Sequence, residues 1–432
     1  MKESNTSARK LISDSISAIL LKAGSLLVSL AFVSVLSFAL PASEYGKLAV
    51  VLSFAMICSA IGSFGQYDLL IRDLSKSSPD REGFKEQIAV STNWAFWGGI
   101  FCGSTASMLL LLGGFDYRLA IAVLALSSLL SISFAWSGAA RARGENFWSL
   151  APREILWRLA VVIITGGLVV IDVQISAASM GLLLVAVLLL FLLLQGQKLG
   201  FRLRWITLSK PASLLTQRAK CSFDLMIGQV AAVGLTTVDI VIVGLMISET
   251  AAAEYFPANR IALAVSTVTF ALYLVISPLV SATHSKFDRE KLEFWASIAT
   301  AASVSISILI GALIWIGYPL VSMLFATATT QTATALTILI LAQVLQASLG
   351  FGNAFLAMTG HERALRKIEF WGLVFGLMFM AIAALSGSIV LVAGARLIAV
   401  VAKKAVVAYT AYKLTGFAPF SLKAPTKALR HA

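Results

Sequence analysis

The chain has 432 residues, of which 59% are hydrophobic and only 13% are charged. A soluble protein of this length cannot bury so much apolar surface, so a lipid bilayer must solvate a large part of it. The formal net charge is +13, but the positions of the basic residues explain this charge as membrane topology, and no nucleic-acid partner is expected.

Twelve apolar runs follow one another along the chain, each of about 20 residues and therefore long enough to cross a ~30 Å hydrocarbon core. They cover residues 15–40, 46–69, 88–112, 117–139, 153–171, 174–195, 222–246, 258–282, 293–317, 333–358, 368–386 and 388–411. The polar breaks between them leave no room for a soluble domain. We therefore predict an all-α polytopic membrane protein with about 12 transmembrane helices and both termini on one side.

The distribution of Lys and Arg predicts which side that is. If the N-terminus is cytoplasmic, 27 of the 34 basic residues fall in the cytoplasmic loops and tails, and only Lys47, Arg118 and Arg260 fall on the opposite side. Cytoplasmic loops of membrane proteins carry such an excess of positive charge. The sequence thus predicts a multi-pass protein with cytoplasmic N- and C-termini.

Similar loop sequences recur about 210 residues apart, which indicates an internal duplication. Glu44-Tyr45 follows the first run, and Glu254-Tyr255 follows the seventh. Six runs per half give both halves the same orientation, so a pseudo-two-fold along the membrane normal would relate two six-helix lobes. The predicted lobes are residues 1–197 and 222–413, joined by a basic cytoplasmic linker at 198–221 and followed by a basic cytoplasmic tail at 414–432.

Five ionisable residues lie well inside apolar runs: Lys22, Asp239, Arg396, Lys403 and Lys404. Each would cost ~2.5–3.5 kcal/mol facing lipid at the membrane centre, so most should face water or partners. Lys22 and one of the two C-terminal lysines could instead extend to the cytoplasmic interface. Arg396 lies near the midplane, which favours a position in the lumen, and with Lys403 it forms a basic stripe on one helix face.

Three roles of Asp239 remain open. It could form a structural ion pair with Arg396 or Arg260, serve as a proton- or cation-coupling site, or contact substrate directly. The four in-run bases outnumber this single acid, so the lumen is predicted to be cationic and suited to an anionic substrate. Phosphate and pyrophosphate bind Arg through its fork geometry and Lys as a point charge.

The segment that contains Asp239 resembles a known family. Its pattern is an acid in span 7, a glycine, a short loop and a Y-x-x-A-x-R helix start, here Asp239, Gly244, Tyr255, Ala258 and Arg260. The loop motif L-x-x-T-G-H-E-R also matches through Leu356, Thr359, Gly360, His361, Glu362 and Arg363. These motifs are similar to those of the polysaccharide transporter (Wzx-type) branch of the MOP flippase superfamily. The chain departs from the pattern at Phe256 and in its unusually basic span 12.

The resemblance implies a flippase of the bacterial inner membrane that moves polyprenyl-pyrophosphate-linked oligosaccharide repeat units of O-antigen, capsule or exopolysaccharide by alternating access. Lys22, Arg396, Lys403 and Lys404 are the candidate substrate-binding residues, and Asp239 with Arg260 forms the candidate coupling site or structural ion pair. The implied partners are the lipid-linked oligosaccharide, membrane lipids, a polysaccharide polymerase with its chain-length regulator, and H⁺ or Na⁺.

Two alternatives remain open. A cation-coupled multidrug or metabolite exporter of the same superfamily would favour a more acidic cavity. An integral polysaccharide polymerase or glycosyltransferase would need paired carboxylates, whereas the acids of the outer loops are scattered. The chain has no phosphate-binding GxxxxGK[ST] loop and no metal-ligand spacing of Cys or His, so we expect no enzyme activity, no metal and no cofactor.

Overall fold

The computed structural model describes residues 2–74, 82–201, 212–284 and 289–416. Throughout these ranges every regular element is a helix. In the part of the chain that precedes residue 202 the helices are α1 (Lys2–Ala39), α2 (Ala42–Gly62), α3 (Gln66–Leu74), α4 (Glu82–Leu112), α5 (Tyr117–Ala142), α6 (Asn146–Ala151), a π-helical turn (Pro152–Leu156), α7 (Trp157–Val170) and α8 (Ala177–Leu199).

The later helices are α9 (Ala212–Met246), α10 (Glu249–His284), α11 (Arg289–Ile316), α12 (Tyr318–Ser322), α13 (Thr330–Ser348), α14 (Gly352–Met358), α15 (Glu362–Ala384) and α16 (Ile389–Thr415). Every predicted run overlaps one of the longer helices. Nine helices in the described ranges are long and apolar enough to cross a membrane. The prediction of an all-α polytopic membrane protein is confirmed.

Two of the predicted runs contain a break that the apolar pattern conceals. The run at 46–69 is interrupted after α2, where Phe64 and Gly65 adopt φ values of 49° and 68° and α3 then begins. The run at 333–358 is interrupted at Gly350, with a φ of 70°, before α14 begins at Gly352. Left-handed backbone cannot continue a helix. The second break places Asn353 in the first turn of a short helix.

Contacts divide the chain into two compact units. The first unit comprises Met1–Pro257 with Phe325–Thr327, and the second comprises Ala258–Leu324 with Ala328–Ala432. Helices α2 and α5 are the most buried spans of the first unit. At Gly62 a side chain would lie only 2.6 Å from the Gly99 main-chain nitrogen, so the glycines permit close packing of α2 against α4. Small residues play this part in membrane helix pairs.

Each unit has its own apolar core. In the first unit Trp136 is fully buried, and its indole nitrogen donates a hydrogen bond to the Thr92 hydroxyl at 2.9 Å. In the second unit Phe355 and Leu356 of α14 pack with Val407 and Ala411 of α16. This packing holds the short helix α14 beside the basic part of α16.

The predicted lobe boundaries stay a prediction. Helix α9 begins at Ala212, inside the predicted linker, and residues 202–211 of that linker lie outside the described residues. Most of the predicted tail, from residue 417 onward, is also outside them. Helix α9 contacts α2 and α3 within the first unit.

Candidate functional site

Four of the six predicted site residues lie in the second unit, and Lys22 and Asp239 lie in the first. Arg396, Lys403 and Lys404 are all on α16. Arg396 and Lys403 are seven residues apart, so about two helical turns and ~10 Å separate them on one face. All three bases thus lie on one helix, and their common role as a basic stripe stays a prediction.

Arg396 is one of the largest fully buried side chains in the described part of the chain, with 1% exposure. Its Nη1 donates a hydrogen bond to Oδ1 of Asn259 on α10 at 2.8 Å, and Asn259 is itself fully buried. An arginine held in this way does not face acyl chains. Its charge is enclosed in protein, where burial makes electrostatic interactions strong.

Lys403 belongs to a buried polar network between α14, α15 and α16. Its ammonium donates to Oε2 of Glu369 at 2.6 Å, and both side chains are about nine-tenths buried, with 12% and 10% exposure. The stem of Lys403 packs so closely on α15 that a side chain at Gly372 would lie 2.6 Å from its Cγ. Lys403 is thus directed toward α15 and is enclosed by protein.

Lys404 joins the same network through an amide. Its ammonium donates to Oδ1 of Asn353 at 2.9 Å, and Nδ2 of Asn353 donates to Oε1 of Glu369 at 3.1 Å. The hydrogen-bond chain therefore runs Lys404–Asn353–Glu369–Lys403. One carboxylate serves two adjacent lysines, and a neutral amide separates it from the second. We call these four residues the Glu369 cluster.

A comparable arrangement surrounds Lys22 in the first unit. Its ammonium lies 2.7 Å from Oε2 of Glu154, which is in the π-helical turn. Arg153 contacts the other carboxylate oxygen of Glu154 at 2.8 Å, and Arg158 donates to the Glu154 main-chain carbonyl at 3.2 Å. Three bases thus surround one acid. We call these four residues the Glu154 cluster.

Asp239 is fully buried in α9. Its Oδ2 accepts a hydrogen bond from the Tyr255 hydroxyl at 2.8 Å, and its Oδ1 accepts one from the Ile240 main-chain nitrogen at 3.1 Å. A buried carboxylate needs such partners. The predicted ion pair of Asp239 with Arg396 or Arg260 would join the two units, and it stays a prediction.

Sequence comparison gives no relative for this chain: no family model matches it, and no curated protein matches it. Solved structures do match. An inward-facing multidrug resistance MATE family transporter of the MOP superfamily is 15% identical, with a TM-score of 0.65 over 91% of this chain and 96% of that one. The outward-facing form of such a transporter is 14% identical, with a TM-score of 0.61 over 94% of each chain.

A third match is a MOP superfamily transporter from Pyrococcus furiosus, for which reverse polarity of the binding pocket suggests a different function. It is 15% identical, with a TM-score of 0.55 over 94% of this chain and 95% of that one. This chain has the MATE transporter fold. It is accordingly a multi-pass membrane protein, and its narrower resemblance to the polysaccharide branch stays a prediction.

Five residues of these clusters were not predicted from the sequence as site residues: Arg153, Glu154, Arg158, Asn353 and Glu369. Both glutamates lie at the second position of a predicted apolar run, and neither was among the ionisable residues predicted to lie well inside a run. Their partners are 132 and 34 residues away in the chain, so no local spacing reveals the pairs. Within the described ranges, no group of three His, Cys, Asp or Glu side chains could hold a metal ion.

Proposed function

We propose that this protein is a transporter of an anionic lipid-linked sugar, namely a flippase for polyprenyl-pyrophosphate-linked oligosaccharide repeat units. The observation that carries the proposal is the excess of basic over acidic side chains within the membrane helices. With Glu154 and Glu369 included, the Glu154 cluster, the Glu369 cluster and the buried Arg396 and Asp239 together hold six bases and three acids. Two of these bases, Arg153 and Arg158, are among the 27 basic residues assigned above to the cytoplasmic side. The bases are Lys22, Arg153, Arg158, Arg396, Lys403 and Lys404, and the acids are Glu154, Asp239 and Glu369.

A charge excess of this kind is costly to fold and is therefore a sign of function. Each charged side chain at the membrane centre costs ~2.5–3.5 kcal/mol unless it is paired or hydrated. Paired acids could have neutralised every base at lower cost. A protein that retains surplus positive charge there is suited to a ligand that brings negative charge, and a pyrophosphate meets this requirement.

Lys404 is the base we assign to first contact with the pyrophosphate. In the described part of the chain its hydrogen bond goes to the neutral Asn353 amide, whereas Lys403 is bound directly by Glu369. An incoming anion displaces an amide oxygen from an ammonium at a lower free-energy cost than it displaces a carboxylate. The reason is that the ammonium–carboxylate hydrogen bond is stronger than the ammonium–amide hydrogen bond. Arg396, two turns away, would meet the group later in its passage.

Transport in this proposal runs outward across a bacterial inner membrane by alternating access, with both termini cytoplasmic. A cytoplasm-negative potential favours the outward movement of two negative charges by ~4–5 kcal/mol per 100 mV. Coupling to H⁺ or Na⁺ through Asp239 is therefore an addition to the mechanism and not a requirement. A polysaccharide polymerase with its chain-length regulator would use the product on the outer face.

The test is translocation in proteoliposomes that carry a fluorescent polyprenyl-pyrophosphate oligosaccharide. Wild-type protein should move the lipid between leaflets, and Lys404→Ala should reduce the rate at least tenfold. Lys413→Ala is the matched control, because Lys413 is an exposed lysine in the last turn of the same helix. Normal translocation by a well-inserted Lys404→Ala protein would refute the assignment of Lys404, and absence of translocation by wild type would refute the function.

A second candidate function is cation-coupled multidrug export, and the fully buried Asp239 favours it. A carboxylate in this position could bind a cation or a proton, and the matched structures include multidrug resistance transporters. Uptake of a cationic dye into the same proteoliposomes under an imposed pH or Na⁺ gradient discriminates the two functions. Dye transport that disappears in Asp239→Asn, with no movement of the sugar lipid, would establish the exporter.

A further inference from the structure

A half-open cavity of about 360 Å³ lies in the first unit, beside the π-helical turn. Its volume is within the range of small-ligand sites. It is lined by Trp148 of α6, Leu156 of the π-helical turn, and Phe191, Leu194, Gln197 and Lys198 of α8. The lining is thus apolar along α8 and polar where α8 ends. We call it the α8 cavity.

The walls of the α8 cavity are held rigidly. Gln195, which is fully buried, donates from Nε2 to the Trp148 main-chain carbonyl at 2.8 Å and so fixes α6 against α8. The ring of Trp136 packs under Gly196, where a side chain would lie 2.8 Å from the ring. These contacts fix α6 and α8 against each other, so the cavity between Trp148 and the side chains of α8 is a feature of the fold itself.

The polar end of the cavity carries positive charge. Lys198 is exposed in the last turn of α8, and Arg143 donates to the carbonyl of Leu199 at 2.8 Å, which covers the negative end of that helix. Glu145 is the acid near Arg143. Arg143 offsets the partial negative charge at the C-terminal end of α8, and Lys198, which lines the cavity, supplies the positive charge for an anionic group.

The face of α8 beside the cavity is apolar and exposed. Leu190 and Leu193 are 54% and 42% exposed. In a multi-pass membrane protein such a face meets acyl chains, so the cavity draws its occupant from the bilayer. We propose that the α8 cavity binds one anionic phospholipid, with an acyl chain along Trp148, Leu156, Phe191 and Leu194 and the headgroup phosphate at Lys198.

The α8 cavity adjoins the π-helical turn that carries Glu154. Leu156 lines the cavity, and Glu154, two residues earlier in the same π-helical turn, binds Lys22. π-helical turns are frequent at functional sites. A bound chain therefore packs against the turn that positions the Glu154 cluster. The lipid site itself does not depend on the proposed function, and its test does not measure transport.

The test is lipid retention by the purified full chain, measured by native mass spectrometry after incubation with phosphatidylglycerol or phosphatidylcholine. Wild type should retain one phosphatidylglycerol about fivefold better than phosphatidylcholine, because only phosphatidylglycerol carries a net negative charge and one basic residue near an anionic headgroup supplies about this gain. Leu194→Trp should lose the retained lipid because the indole fills the cavity. Lys198→Ala should still retain lipid and lose the preference.

Two matched variants serve as controls. Leu193→Trp changes a neighbouring leucine of similar exposure, 42% against 40%, that does not line the cavity. Lys413→Ala removes an exposed lysine from the last turn of another helix. Both should behave as wild type. Equal retention by Leu194→Trp and wild type, or equal retention of the two phospholipids by wild type, would overturn the proposal.

A second measurement covers the case in which Leu194→Trp fails to fold. Phosphatidylglycerol with a photoreactive group on one acyl chain should label wild-type peptides that contain Trp148 or Phe191. An excess of unlabelled phosphatidylglycerol should prevent the labelling. Labelling elsewhere alone, or competition by a polyprenyl phosphate and not by phosphatidylglycerol, would contradict the assigned occupant.

Discussion

The Glu154 and Glu369 clusters accommodate buried basic side chains in two different ways. Each places several bases around a single glutamate inside the membrane helices. In the Glu154 cluster both carboxylate oxygens contact bases directly, at 2.7 and 2.8 Å. In the Glu369 cluster one oxygen contacts Lys403 and the other accepts from the Asn353 amide. The second cluster thus keeps one lysine away from the carboxylate.

Exposure separates the clusters further. The difference lies in one base: the Lys22 side chain is 38% exposed and that of Lys403 is 12% exposed, whereas Arg153 and Glu154, at 12% and 14%, are about as buried as the Glu369 pair. Solvent screens an exposed pair and weakens its contribution, but a buried pair that loses one partner leaves an uncompensated charge. The comparison teaches that equal ion-pair distances do not imply equal energetic roles. The Glu369 cluster should matter more for stability, and its amide-bound lysine should matter more for binding.

Glu369→Ala should have the largest effect. Removal of this carboxylate leaves two adjacent buried lysines without an acid, which should lower the free energy of unfolding by about 3–5 kcal/mol. Thermal unfolding in detergent measures the loss. Glu362→Ala is the control, because Glu362 is exposed in the first turn of the same helix and should cost less than about 0.5 kcal/mol.

The double variant Lys403→Met/Glu369→Leu sharpens this test. Replacement of a buried ion pair by apolar side chains of similar volume is often close to neutral. We therefore expect the double variant to recover most of the stability that Glu369→Ala loses. If both variants melt as wild type does, the Glu369 cluster has no special role in stability and the contrast between the clusters fails.

Glu154→Gln should have a smaller effect, about 1–2 kcal/mol, because the amide oxygen still accepts hydrogen bonds and Lys22 reaches solvent. The measurement is the same unfolding experiment, with Glu145→Gln as a control at an exposed position. Salt should reduce the effect of Glu154→Gln more than that of Glu369→Ala, since screening acts on the exposed pair. A loss from Glu154→Gln equal to that from Glu369→Ala would mean that exposure does not separate the clusters.

The sequence predicted the helices well because membrane spans are specified by length and hydrophobicity alone. It did not reveal the interruptions after Gly62 and Ser348, since the residues of each break are as apolar as the flanking helices. Such interruptions depend on backbone conformation at single positions, here Phe64, Gly65 and Gly350. Asn353 therefore stood in the sequence as one polar residue within a long run and not at the start of a helix.

The sequence predicted only part of the candidate site. Lys22, Arg396, Lys403 and Lys404 interrupt apolar runs, and that interruption is a local signal. Glu154 and Glu369 stand at the ends of runs, where charged residues are common, and only the packing of distant helices shows that each meets a base. The sequence therefore indicated Lys22 and Lys403 but not the glutamates that pair with them. The excess of three bases over acids is the same in both counts, because Arg153 and Arg158 were missed along with Glu154 and Glu369.

Asn353→Asp tests the last part of the comparison with the smallest structural change. The substitution gives Lys404 a carboxylate partner in place of the amide oxygen that now lies 2.9 Å from its ammonium. We expect little change in the melting temperature, because the new attraction to Lys404 offsets the repulsion between the introduced carboxylate and Glu369 across the present 3.1 Å hydrogen bond. Translocation of the sugar lipid should fall about tenfold, equivalent to ~1.4 kcal/mol, because the new carboxylate competes with the pyrophosphate for Lys404.

Asn353→Ala separates this electrostatic effect from the loss of the amide. It removes the hydrogen bonds to Lys404 and Glu369 without adding charge, so stability should fall by about 1–2 kcal/mol while translocation of the sugar lipid is retained. Asn353→Asp should thus keep its stability and lose translocation, whereas Asn353→Ala should lose stability and keep translocation. If both lose translocation equally, Asn353 acts by positioning α14, and an amide-bound lysine is then no special feature of the second unit. If Asn353→Asp carries the lipid at the wild-type rate, Lys404 is not the base that meets the pyrophosphate, and the contrast between the clusters reduces to stability alone.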